Sequence, residues 1–444
     1  MNARSLCPQD VLSRFALVAA VIATGCVFQD VRVQQSKLET FCKIDGSVSA
    51  AQETSSPLLV GLVRHDGGVL DDSRNWSLVD HFVLDAPGRW MFRAGPGTYG
   101  LVAFVDSNAD GVYQHSEPFL AVDPNRLVTC DDGHRHAEVT LSIPADGRPR
   151  LKGEIDFLKF QARTTNAQLQ HSLGAATVYG LVTTLDDSRF KEEHAADSLW
   201  RPYDFIVDVG PGVYFLEPYD AAKIPVLFVH GINGTPRNFH ALVERLDRTK
   251  YQPWLYYYPS GVRLSGLAAH LDQTMKTLQL QHGFTQFHVI AHSMGGLVSR
   301  GFLLRNQSKE RRARAPLYIT ISTPWGGHKA AQAGVNYAPA VVYVWNDMAP
   351  KSVYLRELFF ASEDESVHRP LPAGIQHHLL FTFKNHGAMS GECSDNTVTL
   401  ASQLYDGAQS DASRLYGFEE THMSILDSAE TSQLVNRLLN EASP

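Results

Sequence analysis

The sequence predicts an α/β domain, a mostly parallel sheet with flanking helices, preceded by a small all-β sandwich. Three observations carry this prediction. From Ile224 onward, short apolar runs of β character alternate with amphipathic helical stretches, the order a parallel sheet requires. Between Lys43 and Ile143 the pattern is β throughout: short runs rich in branched and aromatic residues, separated by turn residues. Finally, the β run Phe287–Ala291 passes through Ala291-His292-Ser293-Met294-Gly295-Gly296 directly into helical spacing over Leu297–Leu304.

The chain begins with a targeting pattern. Arg4 and Arg14 accompany the apolar stretch Phe15–Ala23, which is too short to span a bilayer. Residues 1–25 read as a signal peptide, and the ending Ile22-Ala23-Thr24-Gly25-Cys26 resembles a bacterial lipobox. That resemblance implies cleavage before Cys26, lipidation of its thiol, and attachment to the cell envelope, with the outer membrane expected. Residues 26–42 are polar and read as a tether.

The sandwich is expected over residues 43–145. Its strands are Leu58–Arg64, Trp76–Leu84, Arg89–Ala94, Tyr99–Val105 and Ala137–Ile143, with turns such as Asp66-Gly67-Gly68 and Gly95-Pro96-Gly97 between them. It resembles the Ig-like or transthyretin-like accessory modules of bacterial surface proteins. Cys42 and Cys130 flank it and would pair in an oxidising compartment, which leaves Cys393 over. Asp106–Glu117 matches the twelve-residue calcium-loop pattern at each specified position, with ligands from Asp106, Asn108, Asp110, the Val112 carbonyl and Glu117. The stretch before it reads as a strand, not the helix of an EF-hand. The loop is therefore either a Ca2+-binding hairpin or a polar Asx-rich turn that holds nothing.

Residues 144–149 are polar and Pro-rich and mark a boundary. Residues 150–222 form a connecting region with the first strands of the next domain, which fills 223–444. With a formal net charge of −8 and no dominant Lys/Arg block, nothing in the sequence suggests a nucleic-acid partner, and none is expected. At 44% hydrophobic and 19% charged, the chain can bury a large core.

Small-x-Ser-x-Gly between a strand and a helix is the pattern of a nucleophile elbow. Bulk two residues before or after the Ser would strike the neighbouring strand or helix. The pattern usually opens with Gly, and here Ala291 takes that place. Pro225–Val229 runs into His230-Gly231-Ile232-Asn233-Gly234, which resembles the His-Gly oxyanion loop of lipases. Ser322-Thr323-Pro324-Trp325-Gly326-Gly327 resembles a turn that recurs in lipases and related acyltransferases. Together these motifs resemble the lipase/esterase branch of the α/β-hydrolase superfamily over about Lys223–Leu439.

The resemblance implies an acyl-transfer enzyme with a triad in the chain order Ser293, Asp395, His422. Asp395 stands just past the strand His378–Phe383, and His422 precedes the last helix. Asp347 is the second choice for the acid. The oxyanion hole would be the N–H groups of Ile232 and Met294. Residues 328–372, rich in Tyr and Trp, occupy a cap position, either as a lid lining an acyl pocket or as helices packed on the sheet. The expected substrate is an ester or lipid, with no catalytic cofactor. Two alternatives stay open: a phospholipase or acyltransferase on membrane lipids, and an inactive hydrolase-fold protein that binds at the surface.

Overall fold

The computed structural model describes residues 27–51, 54–65, 75–145, 154–158, 171–306, 312–384 and 393–442. The signal segment and Cys26 lie outside the described residues. Among the described residues, no helix is long and apolar enough to cross a membrane.

The N-terminal region forms two facing sheets. One has the order β4 (Gly88–Ala94), β1 (Cys42–Ala50), β9 (His136–Ile143). The other has the order β3 (Trp76–Leu84), β2 (Leu58–His65), β5 (Gly97–Val105), β7 (Phe119–Leu120), with β8 (Val128–Cys130) also paired to β5, and the two-residue strands β6 (Val112–Tyr113) and β10 (Ile155–Asp156) pair antiparallel with each other. Strand alternation builds the core between them. In β4, Trp90, Phe92 and Ala94 are buried while Arg89, Met91 and Arg93 are exposed, the two-residue period of a half-buried strand. Cys42 and Cys130 form a disulfide that ties β1 of one sheet to β8 of the other.

Residues 27–39, read from the sequence as a tether, are instead a docked helix. Val31 and Gln34 are buried and Leu38 packs on a small apolar cluster. The Gln34 side chain accepts from the Asp204 N–H (3.0 Å), Arg32 donates to the Pro339 carbonyl (2.6 Å), and Phe28 packs edge-on to Trp200. These partners are remote in sequence, and the stripe that docks includes a glutamine, so composition alone reads as solvated.

The C-terminal domain is an eight-stranded sheet. Its strands are β11 (Val178–Val182), β12 (Gly212–Phe215), β13 (Ile224–Val229), β14 (Tyr251–Tyr257), β15 (His288–His292), β16 (Leu317–Ile321), β17 (Gln376–Thr382) and β18 (Ala412–Phe418). They are ordered β11-β12-β14-β13-β15-β16-β17-β18. From β14 to β18 every neighbouring pair is parallel, whereas β12 runs antiparallel to β14 and parallel to β11. Each residue of β15 and β16 is buried, as expected of strands covered on both faces. In β13, Leu227 and Val229 join one core, with the helices Leu264–His282 and Met294–Arg305, while Val226 and Phe228 join the other, with the closing helix Ala429–Ala442. Because β13, β15, β17 and β18 are parallel, the loops after them all leave from one edge of the sheet, where ligands of open α/β sheets bind.

Between β16 and β17 lie three short helices, Lys329–Tyr337, Tyr343–Met348 and Val353–Phe359. The two readings of this segment divide among its residues. Tyr354 and Phe359 are core, and the Tyr354 hydroxyl donates to the Leu297 carbonyl (3.0 Å). Trp345 and Met348 instead face the cleft above Ser293.

Candidate active site

β15 ends at His292 and the next helix starts at Met294, so Ser293 alone makes the turn, at φ 53° and ψ −128°. A non-glycine residue held there is strained by roughly 1–3 kcal/mol, and its surroundings must enforce it. The Ser293 N–H donates to the Ile321 carbonyl of β16 (2.8 Å). A Cβ at Gly295 would lie 2.2 Å from the Val229 carbonyl oxygen, and one at Gly296 would lie 2.1 Å from Thr323 Oγ1. The small residues around Ser293 are therefore a steric requirement of the turn.

The loops after β17 and β18 bring Asp395 and His422 to Ser293. His422 Nε2 lies 2.9 Å from Ser293 Oγ, and His422 Nδ1 lies 2.8 Å from Asp395 Oδ2. A carboxylate only accepts, so Nδ1 carries the proton toward Asp395 and Nε2 is left to accept the serine proton. The His422 main chain is held at both ends. Its N–H donates to the Asp395 carbonyl (2.9 Å), and its carbonyl accepts from His292 Nε2 (2.9 Å).

Asp395 is fully buried. Burial by itself raises its pKa, but the hydrogen bond and charge of His422, the Thr382 hydroxyl and the Val398 N–H outweigh it, and the carboxyl sits below its ordinary value. Oδ1 accepts from the N–H groups of Thr397 (3.0 Å) and Val398 (2.7 Å); Oδ2 accepts from Thr382 Oγ1 (2.7 Å) and Gln403 Nε2 (3.1 Å) as well as His422. The sequence reading missed Thr382 and Gln403. Their places at the end of β17 and on the helix Leu400–Gln403 carry no motif that would mark them.

Two neighbouring imidazoles stay neutral. Burial pushes His292 down to about 3 and His230 down to about 4. His230 stacks on Tyr258 at 4.1 Å and donates from Nδ1 to the Gly231 carbonyl (2.7 Å), which fixes the loop after β13. That loop passes close over the serine: a Cβ on Gly231 would lie 2.8 Å from Ser293 Cβ. Ile232 lines the same cleft. Met294 is the first residue of its helix, so its N–H has no intrahelical partner and sits at the positive end of the helix dipole.

The cleft has a volume of about 460 Å³. Pro324, Ala331, Trp345, Met348, Val398 and Met423 supply its apolar wall, and among the described residues no Asp, Glu, Lys or Arg lines it. Asp347, the second choice for the acid, is elsewhere: it pairs with Arg263 (2.8 Å) and accepts from the Leu264 N–H (2.8 Å) at the start of a helix.

The five ligands expected of a calcium loop do not form a cation cage. Among the described residues, no group of three or more His, Cys, Asp or Glu is arranged to hold a metal. Both oxygens of Asp106 instead accept from the Asp110 and Gly111 N–H groups, and both of Glu117 accept from Ser107 and Gln114. Asp110 accepts from the Val112 N–H and from the Asn108 and Gln114 amides. The carboxylates thus staple the turn from within, and the residues as placed do not fit a metal.

A family profile described as the alpha/beta hydrolase fold matches residues 224–326. No curated protein matches the chain. Among solved structures, the chain is similar to a lipase from Bacillus licheniformis in its mature form, at 15% identity over 52% of this chain and 98% of that one (TM-score 0.40). It is similar also to lipase B from Aspergillus fumigatus, at 14% identity over 52% and 56% (TM-score 0.37). A third similarity is to the phospholipase PlaB from Legionella pneumophila, at 17% identity over 41% and 45% (TM-score 0.31). Likenesses this distant carry no functional weight; the strand order, the strained turn at Ser293 and the matching profile are what give the C-terminal domain the α/β-hydrolase fold.

Proposed function

We propose that the protein is a serine carboxylic-ester hydrolase of the lipase/esterase type. The observation that carries this reading is the continuous relay Ser293 Oγ, His422 Nε2, His422 Nδ1, Asp395 Oδ2, with both links under 3 Å. Ser293 Oγ attacks the ester carbonyl carbon while His422 Nε2 takes its proton. The carbonyl oxygen becomes an oxyanion, stabilised by the N–H groups of Ile232 and Met294. The C–O bond to the leaving group breaks, and the alkoxide takes the proton from His422. Water then attacks acyl-Ser293, again giving its proton to His422, and the acid leaves as Ser293 recovers its proton. Asp395 holds the imidazole tautomer and stabilises the imidazolium.

An apolar cleft without charged lining residues suits an uncharged acyl chain, and water is the proposed acceptor. We place the enzyme on the bacterial cell envelope through a lipidated Cys26, which lies outside the described residues. Labelling with a radioactive fatty acid that persists in Cys26→Ser would reject the anchor.

The test is hydrolysis of p-nitrophenyl esters, short to long, by the mature chain and by Ser293→Ala. Turnover by the wild type alone is expected, and the preferred length distinguishes esterase from lipase. Phospholipid digestion with an added acceptor alcohol, followed by product analysis, separates hydrolysis from acyl transfer. No turnover of any ester by folded wild type would overturn the reading.

A further inference from the structure

A second cleft, of about 340 Å³, lies where the sandwich, the docked helix 27–39 and the C-terminal domain meet. It is distinct from the cleft at Ser293 and shares no lining residue with it. Its size falls within the roughly 300–1,000 Å³ of clefts that take small molecules. Leu38 enters it from the docked helix, Phe82 from the sandwich, and Tyr179, Ile206, Val262 and Leu267 from the C-terminal domain, so the lining is mainly apolar.

Asp80 of β3 breaks that apolar lining. It is only 6% exposed. Its carboxylate accepts from Ser172 Oγ (2.5 Å) and from the His81 N–H (2.8 Å), and among the described residues it has no ion-pair partner. Arg93 stands at the rim of the cleft, exposed to solvent and not paired with Asp80. Buried carboxylates are normally matched by a cation, because desolvating an unpaired charge is costly. Of the other polar groups of the cleft, His270, Gln273 and Thr274 are already engaged. His270, for example, meets Thr177 Oγ1 through Nε2 and the Tyr256 hydroxyl through Nδ1, each at 3.0 Å. Among the described residues, no cation meets the Asp80 carboxylate in this mainly apolar cleft.

We infer that this interdomain cleft binds a small amphiphilic amine, its apolar body between the two domains and its ammonium on Asp80. Such a ligand would bridge the two folded units beside their polar junction, where Gln273 exchanges two hydrogen bonds with Val83 (2.9 and 3.2 Å). Occupancy would therefore raise the melting temperature of the whole chain.

The experiment is calorimetric titration of the full mature chain carrying Ser293→Ala with decylamine, 1-decanol and decanoate, which share a tail and differ in head. Decylamine is expected to bind at one site at least tenfold tighter than decanol, and decanoate not to bind. Two variants assign the site. Gly266 lines the cleft, and a Cβ there meets nothing within 4 Å, so Gly266→Phe adds bulk beside the cleft with no contact at its Cβ and within a helix that prefers non-glycine residues. Asp80→Asn removes the charge. Each is expected to weaken decylamine at least tenfold while the melting curve stays cooperative. Equal affinity for amine and alcohol, unchanged affinity in Gly266→Phe, or no binding at all would overturn the proposal. Readout by binding keeps it separable from the chemistry at Ser293.

Discussion

Replacing Gln403 by leucine tests how the site holds its acid. Gln403 is buried and does not line the cleft. Its Nε2 faces Asp395 Oδ2 (3.1 Å) and the carbonyls of Thr382 (3.0 Å) and Val398 (3.2 Å), and its Oε1 accepts from the Thr382 N–H (2.9 Å). The side chain thus locks the end of β17 to the loop that carries Asp395. A hydrogen bond to a charged group contributes about 1.5–3 kcal/mol. If that is lost mainly in the transition state, where His422 becomes an imidazolium, then at about 1.4 kcal/mol per factor of ten kcat falls roughly 10- to 100-fold. KM for a p-nitrophenyl ester should stay within about twofold, since no substrate contact is removed. The orphaned Thr382 N–H adds about 1–3 kcal/mol of instability, visible as a lower melting temperature. Gln403→Glu should be worse than Gln403→Leu for kcat, because it sets a second carboxylate beside Asp395. Steady-state kinetics below the melting transition make the measurement. A folded Gln403→Leu with wild-type kcat would refute the claim that this amide positions the acid.

Three further outcomes follow from the same structure. Gly231→Val puts a side chain where Ser293 Cβ is 2.8 Å away, so ester turnover should drop at least about 100-fold while circular dichroism is unchanged; retained turnover would show that the loop after β13 does not crowd the serine. Acid should unfold the protein steeply: burial holds His230, His292 and His377 down to about 4, 3 and 3, so between pH 6.5 and about 4 the unfolded chain binds protons that the native chain does not. Each such histidine then removes up to about 1.4 kcal/mol per pH unit as pH falls, and urea titrations showing flat stability across that window would contradict the assignment. Thermal melts in calcium and in chelator should coincide, since the Asp106–Glu117 carboxylates are taken up by backbone N–H groups; a clear rise with calcium would restore the metal.

What could be read from the sequence was local or ordered along the chain. Ala291, Gly295 and Gly296 announce the strained turn because its sterics involve only residues a few positions apart and the elements they join. Ser293, Asp395 and His422 could be ordered because parallel strands deliver successive loops to one edge of the sheet. Asp106–Glu117 shows the opposite case: a complete match to a ligand pattern says which atoms are present, not that they turn away from backbone donors toward an ion. The helix 27–39 was hidden because Gln34 occupies a buried position for the sake of Asp204, some 170 residues away. Gln403 was hidden because a clamp on Asp395 needs only an amide at the right place in space, and no spacing rule encodes that place. The cap resisted a single reading because Tyr354 and Trp345, alike in composition, face the core and the cleft respectively.

The most direct test of the central claim is covalent trapping with a fluorophosphonate, read by intact mass and peptide mapping. An activated serine should form one adduct, on the peptide containing Ser293, and both Ser293→Ala and His422→Ala should abolish it while keeping a native melting curve. A folded wild type that takes no adduct, or an adduct that survives in Ser293→Ala, would contradict the assignment of Ser293 as the nucleophile.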